Sequence, residues 1–193
     1  MLKRNRGYDT SYYEGIESAN AVHYPLLAKT LFEEFRPGML VDIGCGSGGI
    51  SMAFKACGVR EVFAFDGSTD SVAFAARRGV DHVAHLDLCR AESIPARGDL
   101  CICLEVAEHI PPEHADRLCR LLSGPAPLLV FTAAPPGQGG HLHLNMQPRS
   151  YWIEKYAALG MGYDEAAVAR IRSAFGGRML SDYDENLMVF RRS

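Results

Sequence analysis

A run of nine residues, Val41-Asp42-Ile43-Gly44-Cys45-Gly46-Ser47-Gly48-Gly49, restricts the possible folds of this chain more than any other segment. Apolar residues 40–43 read as a short buried strand, and Ile50, Ala53, Phe54 and Cys57 follow at helical spacing up to Gly58. A strand, a glycine turn and a helix in direct succession bring bare backbone N–H groups to a helix N-terminus, where a nucleotide-type ligand can approach closely. Gly44, Gly46 and Gly49 also satisfy the loose pattern G-x-G-x-x-G, which by itself does not choose between cofactors.

The alternation continues along the chain. Further strands are predicted over 61–65, 82–88, 99–106, 127–132 and 186–190. Helices are predicted over 19–35, over 69–79 with Ser68 or Thr69 as cap, over 111–124 opened by Pro111-Pro112, and over 148–156 and 164–175. A Pro/Gly/His loop occupies 133–147. Repeated strand–helix units call for a parallel sheet covered on both faces. The expectation is an α/β, Rossmann-like, doubly wound fold, with a mostly parallel seven-stranded sheet whose last strand is antiparallel. One domain spans 1–193, and residues 1–37 form an N-terminal helical lid segment.

Composition narrows the functional classes. A chain of 193 residues, 48% hydrophobic and 22% charged, supports one domain with a substantial core. Met1-Leu2-Lys3-Arg4 is followed by no apolar run, so neither a signal peptide nor a membrane partner is expected. The net charge of -3 comes from interspersed residues without a basic stripe, so no nucleic-acid partner is expected. The clusters at Lys3-Arg4-Asn5-Arg6 and Arg191-Arg192 read as solvated ends. The six cysteines form no Cys-x-x-Cys pair and read as thiols in a reducing cytoplasm, with Cys101 and Cys103 sharing one face of a strand and filling core space.

Three acidic residues then select the ligand. Asp42 precedes the glycines, where its carboxylate would repel a pyrophosphate and suit an ammonium. Asp66 ends the second strand, where it can accept both hydroxyls of a ribose. Asp87 ends the third and can accept from an adenine amine, with Leu88 beside the ring. Any one of these can be an ordinary solvated strand end, but three in order suit a cationic adenosyl ligand, S-adenosylmethionine. The candidate cofactor residues are Asp42, Gly44, Cys45, Gly46, Gly48, Asp66, Asp87 and Leu88, with Glu105 near the methionine end.

With VDIGCGSG, Asp66 and the segment Leu104-Glu105-Val106-Ala107-Glu108-His109-Ile110 in place, the chain resembles the class I S-adenosylmethionine-dependent methyltransferases. More narrowly, it looks like small bacterial methyltransferases linked to sugar and surface-glycan biosynthesis. These share a loop similar to Pro136-Gly137-Gln138-Gly139-Gly140-x-x-His143-x-Asn145-x-Gln147-Pro148, then Tyr151-Trp152, and end on a strand similar to 185–190. The chain departs from that group at His141 and Leu142 and lacks its tryptophans across 179–185, both places where substrate is read. The resemblance implies methyl transfer and does not identify an acceptor.

Methyl transfer to a hydroxyl benefits from in-line positioning and from a base. His143, in the loop after the fifth strand, is the first catalytic candidate, and His109 the second; turn-forming and junction-packing roles are the alternatives for them. His141, Asn145, Gln147 and Trp152 are candidate substrate residues, although Trp152 and Tyr151 serve equally as core. His141 and His143 could pair on a metal, but no carboxylate cluster accompanies them and no metal is expected. Tyr8, Tyr12 and Tyr13 are placed to fold over the cofactor or to lie in surface turns. The position after the fourth strand reads Leu104-Glu105-Val106-Ala107, without the Asn/Asp-Pro-Pro-aromatic signature of base methylation. The expected activity is O-methylation of a small polar metabolite or glycan hydroxyl. The rivals are an inactive S-adenosylmethionine-binding regulator or partner subunit, and a nicotinamide-dependent oxidoreductase, which Asp42 and the chain length oppose. No motif in the sequence specifies an oligomeric state.

Overall fold

The computed structural model describes residue 15, residues 18–140 and residues 142–192. Seven strands, β1 (Met39–Ile43), β2 (Glu61–Asp66), β3 (His82–His85), β4 (Leu100–Leu104), β5 (Leu128–Thr132), β6 (Met161–Tyr163) and β7 (Met188–Arg192), form one sheet in the order β3-β2-β1-β4-β5-β7-β6. β1 to β5 are parallel, and β7 runs antiparallel to both β5 and β6. This is the doubly wound architecture expected, with the order reversing between β1 and β4, the place where such sheets open a crevice for ligands.

Successive side chains of a strand face opposite sides, and the central strands are apolar on both. Leu40, Leu100, Ile102 and Val130 point to one face, where α1 (His23–Phe35), α2 (Gly49–Cys57), α3 (Thr69–Arg77) and α6 (Glu165–Phe175) deliver Leu27, Leu31, Phe54, Ala75, Ile171 and Phe175. Val41, Ile43, Cys101, Cys103 and Phe131 point to the other, where α4 (Ala115–Leu122) and α5 (Arg149–Ala157) deliver Leu118, Leu122, Trp152 and Tyr156. A four-residue helix, α7 (Ser181–Asp184), leads into β7. Cys101 and Cys103 are fully buried in the second layer, where burial first, and the Asp42 carboxylate in addition, push both thiols well up.

Several boundaries differ from expectation for visible reasons. The third strand stops at His85, because Asp87 turns back to accept from the Cys89 N–H at 2.9 Å. The fourth stops at Leu104, because Glu105 takes a left-handed φ of +53°. Ser68 is the cap of α3, its Oγ accepting from the Ser71 N–H at 3.3 Å. The last strand is shifted to 188–192, so Arg191 and Arg192 are strand residues: Arg191 meets Asp164 at 3.3 Å and Arg192 donates to the Ser123 carbonyl. β6 was not expected as an element. Within the described part of the N-terminal segment, α1 packs against the sheet, with Leu27 and Leu31 fully buried. Tyr8, Tyr12, Tyr13 and the Lys3–Arg6 cluster lie outside the described residues. No described helix is long and apolar enough to cross a membrane.

Candidate active site

The site is assembled at the carboxyl edge of β1, β2, β4 and β5. After β1 the chain turns through Gly44, Gly46 and Gly48, all at positive φ (+78°, +53° and +79°), before entering α2. Two of these glycines are required by space as well. A Cβ on Gly44 would lie 2.2 Å from Val106 Cγ2, and one on Gly48 would lie 2.9 Å from Val80 Cγ2 and 3.0 Å from Ala75 Cβ. The turn is stitched to its neighbours: Gly44 and Cys45 N–H donate to the Phe65 carbonyl at 2.7 and 3.1 Å, and Ser71 Oγ donates to the Gly46 carbonyl at 2.5 Å.

Asp66 joins the second strand to this loop. Its Oδ2 accepts from the Gly46 N–H at 2.9 Å and its Oδ1 from the Ser68 N–H at 2.8 Å, which orients the carboxylate beside the glycines. Each carboxylate oxygen has capacity for a second donor, as two ribose hydroxyls would supply. Burial pushes the Asp66 carboxyl up, and the hydrogen bonds oppose that shift. Asp87 lies two residues past β3 and is partly exposed, with Arg90 Nε 3.6 Å away.

Burial bears on three of the sequence candidates. Asp42 is 2% exposed beneath the loop and accepts from Ser51 Oγ at 2.6 Å; burial pushes its carboxyl to about 7. Its place is therefore under the loop, and direct contact with a ligand ammonium is not what this geometry offers. The Leu88 side chain packs into the second core layer and is largely buried. Trp152 has no exposed surface, packing on Phe131 with ring centroids 5.2 Å apart, and so walls no cleft. Cys45 is also buried, which leaves its backbone as the part available to a ligand.

A second set of polar groups surrounds the end of β4. The Glu105 N–H is held by the Thr132 carbonyl (3.2 Å) and Oγ1 (2.9 Å), while its carboxylate accepts from Gln138 Nε2 and Asn186 Nδ2, each at 3.3 Å. Asn186 also donates to Gln138 Oε1 at 3.0 Å, so the 133–147 loop and the entry to β7 are tied to Glu105. The short 3-10 turn Ala107–His109 follows. It places Glu108 with no exposed surface and no hydrogen-bond partner for either carboxylate oxygen. Burial first, and the Glu105 charge second, push the Glu108 carboxyl up.

The loop returns His143 to this turn. Leu144 and Asn145 N–H donate to the Glu108 carbonyl at 2.7 and 2.9 Å, and the His109 and His143 rings meet edge to face with centroids 5.0 Å apart. His109 Nδ1 lies 3.3 Å from the carbonyl of Leu142, itself at a φ of +57°. Asn145 is buried and accepts from Gln147 Nε2 at 3.0 Å, whereas Leu142, Leu144 and Met146 point outward and are exposed. The two catalytic candidates are thus brought together, with Asn145 and Gln147 beside them. His141 lies outside the described residues. Sequence reasoning missed Glu108, Gln138 and Asn186; for Glu108 the available signal was its place one residue before His109 and three after Glu105.

This arrangement of glycine turn, β2 carboxylate and reversal of strand order can be set against known proteins. Residues 40–123, the stretch from β1 to the end of α4, match a family model described as a methyltransferase domain. The whole fold resembles the magnesium protoporphyrin IX methyltransferase from Synechocystis PCC 6803, solved with bound SAH (TM-score 0.64, 19% identity, 94% of this chain and 84% of that one). It also resembles a sugar N-methyltransferase from Streptoalloteichus (TM-score 0.69, 16% identity, 94% and 91%). A third likeness is to the plantazolicin methyltransferase BpumL, solved in complex with a pentazolic desmethylPZN analog and SAH (TM-score 0.66, 11% identity, 93% and 89%).

The fold is that of the S-adenosylmethionine-dependent methyltransferases.

No curated protein matches the chain in sequence. The magnesium protoporphyrin IX methyltransferase has been solved with bound SAM as well as with SAH, and the residues present in this chain fit S-adenosylmethionine. The positive-φ glycines leave the backbone open to close approach, and Asp66 is held with acceptor capacity toward the same space.

Proposed function

We propose that the chain is an S-adenosylmethionine-dependent methyltransferase acting in the cytoplasm as one domain over 1–193, and that it methylates a hydroxyl of a small polar metabolite or glycan. The observation that carries this reading is the carboxylate of Asp66 bonded to the Gly46 N–H, with the Glu108–His109–His143 cluster across the same sheet edge. Bound S-adenosylmethionine supplies a methyl carbon made electrophilic by a positively charged sulfur. Gly44, Gly46 and Gly48 would let the backbone lie against it, Asp66 would accept its ribose hydroxyls, Asp87 would face the adenine amine, and Glu105 would lie toward the methionine end.

The acceptor would be held by Asn145, Gln147 and the 141–147 loop, its hydroxyl beside His143 and His109. The polar cluster takes the hydroxyl proton as the oxygen lone pair attacks the methyl carbon, and the pair from the broken carbon–sulfur bond stays on sulfur. A sugar acceptor is supported by the likeness to a sugar N-methyltransferase. The test is a panel of sugar and small-alcohol acceptors incubated with methyl-labelled S-adenosylmethionine. Label transfer to an acceptor oxygen supports the reading, and transfer to nitrogen acceptors alone would replace it with N-methylation.

A further inference from the structure

Glu108, His109 and His143 each bring one potential ligand atom to within 4.8 Å of the other two. Their surroundings are unusual in one respect. Both oxygens of Glu108 and Nδ1 of His143 are buried without a hydrogen-bond partner. A carboxylate and an imidazole this close ordinarily close to about 2.7–3.0 Å and bond each other. Unpaired buried groups of this kind are costly and call for an explanation. Glu108 and His143 converge without pairing and face a gap of the size that one further centre would bridge.

The gap is held open by backbone. Two hydrogen bonds from Leu144 and Asn145 to the Glu108 carbonyl, at 2.7 and 2.9 Å, set where the His143 loop meets the Glu108 turn. The contact of His109 Nδ1 with the Leu142 carbonyl at 3.3 Å, with Nδ1 as donor, makes Nε2 the lone-pair nitrogen, the usual outer arrangement of a ligating histidine. That carbonyl belongs to a residue at a left-handed φ of +57°, a conformation that surrounding contacts must hold in place. At Gly140 a Cβ would lie 2.1 Å from Cε1 and Nε2 of the His143 ring, so a glycine is needed for that ring to sit where it does.

We propose that Glu108, His109 and His143 form a binding site for a divalent transition cation. One carboxylate oxygen and two imidazole nitrogens suit Mn²⁺, Fe²⁺ or Zn²⁺ rather than a soft or an all-oxygen ion. Ligand bonds of about 2.0–2.2 Å place ligand atoms roughly 3–4 Å apart, so modest side-chain closure completes the site. Three protein ligands leave open positions, which a catalytic ion uses for water or a substrate oxygen. A cation there would bind the acceptor hydroxyl and ease loss of its proton; that role rests on the methyltransferase reading, whereas ion binding does not. The expectation of no metal rested on a missing carboxylate next to His141 and His143, and the fold supplies one from Glu108.

The test uses the full chain, stripped with a chelator and titrated with Mn²⁺, a probe that favours oxygen and nitrogen donors over the six cysteine thiols. Free Mn²⁺ is followed by electron paramagnetic resonance, and thermal stability is followed in parallel. The expected result is about one ion per chain with a raised Tm. Glu108→Gln and His109→Gln should each weaken binding about 100-fold or more and abolish the Tm rise, while the exposed Glu113→Gln leaves both unchanged. If Glu108→Gln does not fold, His109→Gln carries the comparison. Failure of the folded wild type to bind Mn²⁺ at about millimolar concentration, or binding that survives both substitutions, overturns the proposal. S-adenosylmethionine binding by the same metal-free protein tests the methyltransferase reading separately.

Discussion

Gly44→Ala is a demanding probe of how the glycine turn is held, because two costs fall on one methyl group. The residue has a φ of +78°, where an L side chain loses roughly 1–2 kcal/mol. Its new Cβ would also stand 2.2 Å from Val106 Cγ2, an overpacking that costs about 1–3 kcal/mol once the surroundings shift. The sum, roughly 2–5 kcal/mol, is a large part of a domain's stability. The two parts separate in Gly44→Ala/Val106→Ala. Removing both Val106 γ-carbons leaves that residue's Cβ as the nearest atom, 3.3 Å away, while the φ cost stays. Urea denaturation of the four proteins of this cycle should give a favourable coupling of about 1–3 kcal/mol between the two sites. Additivity within about 0.5 kcal/mol would mean that Val106 does not press on Gly44, and the account of the loop's tethering to the end of β4 would be refuted.

Two further outcomes follow from the same geometry. Asp42 holds its proton up to about pH 7 when folded and to about 3.8 when unfolded, so wild-type stability falls as pH rises through that window. Asp42→Asn removes this dependence, and its advantage over wild type should grow by on the order of 2–4 kcal/mol between pH 4 and pH 8, read from urea midpoints; parallel profiles would contradict the buried carboxyl. His143→Ala should leave cofactor affinity near wild type and lower turnover about 10²–10⁴-fold, as loss of a proton-removing group does. A lowered Tm with normal turnover per folded molecule would instead mark His143 as structural.

Elements with a strong periodic pattern were legible from sequence, and those defined by distant partners were not. The glycine turn and its flanking strand and helix depend on neighbours within the same nine residues and were read directly. β6 is three residues with a glycine at its centre, and it is a strand only because β7 pairs with it across nearly 30 residues of chain. Asp66 was placed by its strand end, and the structure adds what spacing does not contain, its bonds to Gly46 and Ser68. Trp152 was ambiguous because an aromatic residue one turn into a helix faces either way, and contact with Phe131 decides it. Glu108 was missed because a glutamate in a short polar stretch reads as solvated; its burial comes from the 142–145 loop closing over it, a contact across more than 30 residues. Identity of the acceptor is not written in local pattern either, since Leu142, Leu144 and Met146 expose apolar surface beside groups that bind polar ones.

The central claim is that the turn after β1 and the carboxylate of Asp66 hold S-adenosylmethionine, and calorimetric titration tests it most directly. S-adenosylmethionine and its demethylated product should each bind with a Kd in the micromolar range, about -7 to -9 kcal/mol. Asp66→Ala should weaken both by about 1.5–3 kcal/mol, the loss expected when hydrogen bonds to a charged acceptor are removed. NADH should produce no binding heat. Binding of NADH without binding of S-adenosylmethionine, or adenosyl affinity unchanged by Asp66→Ala, would contradict the account.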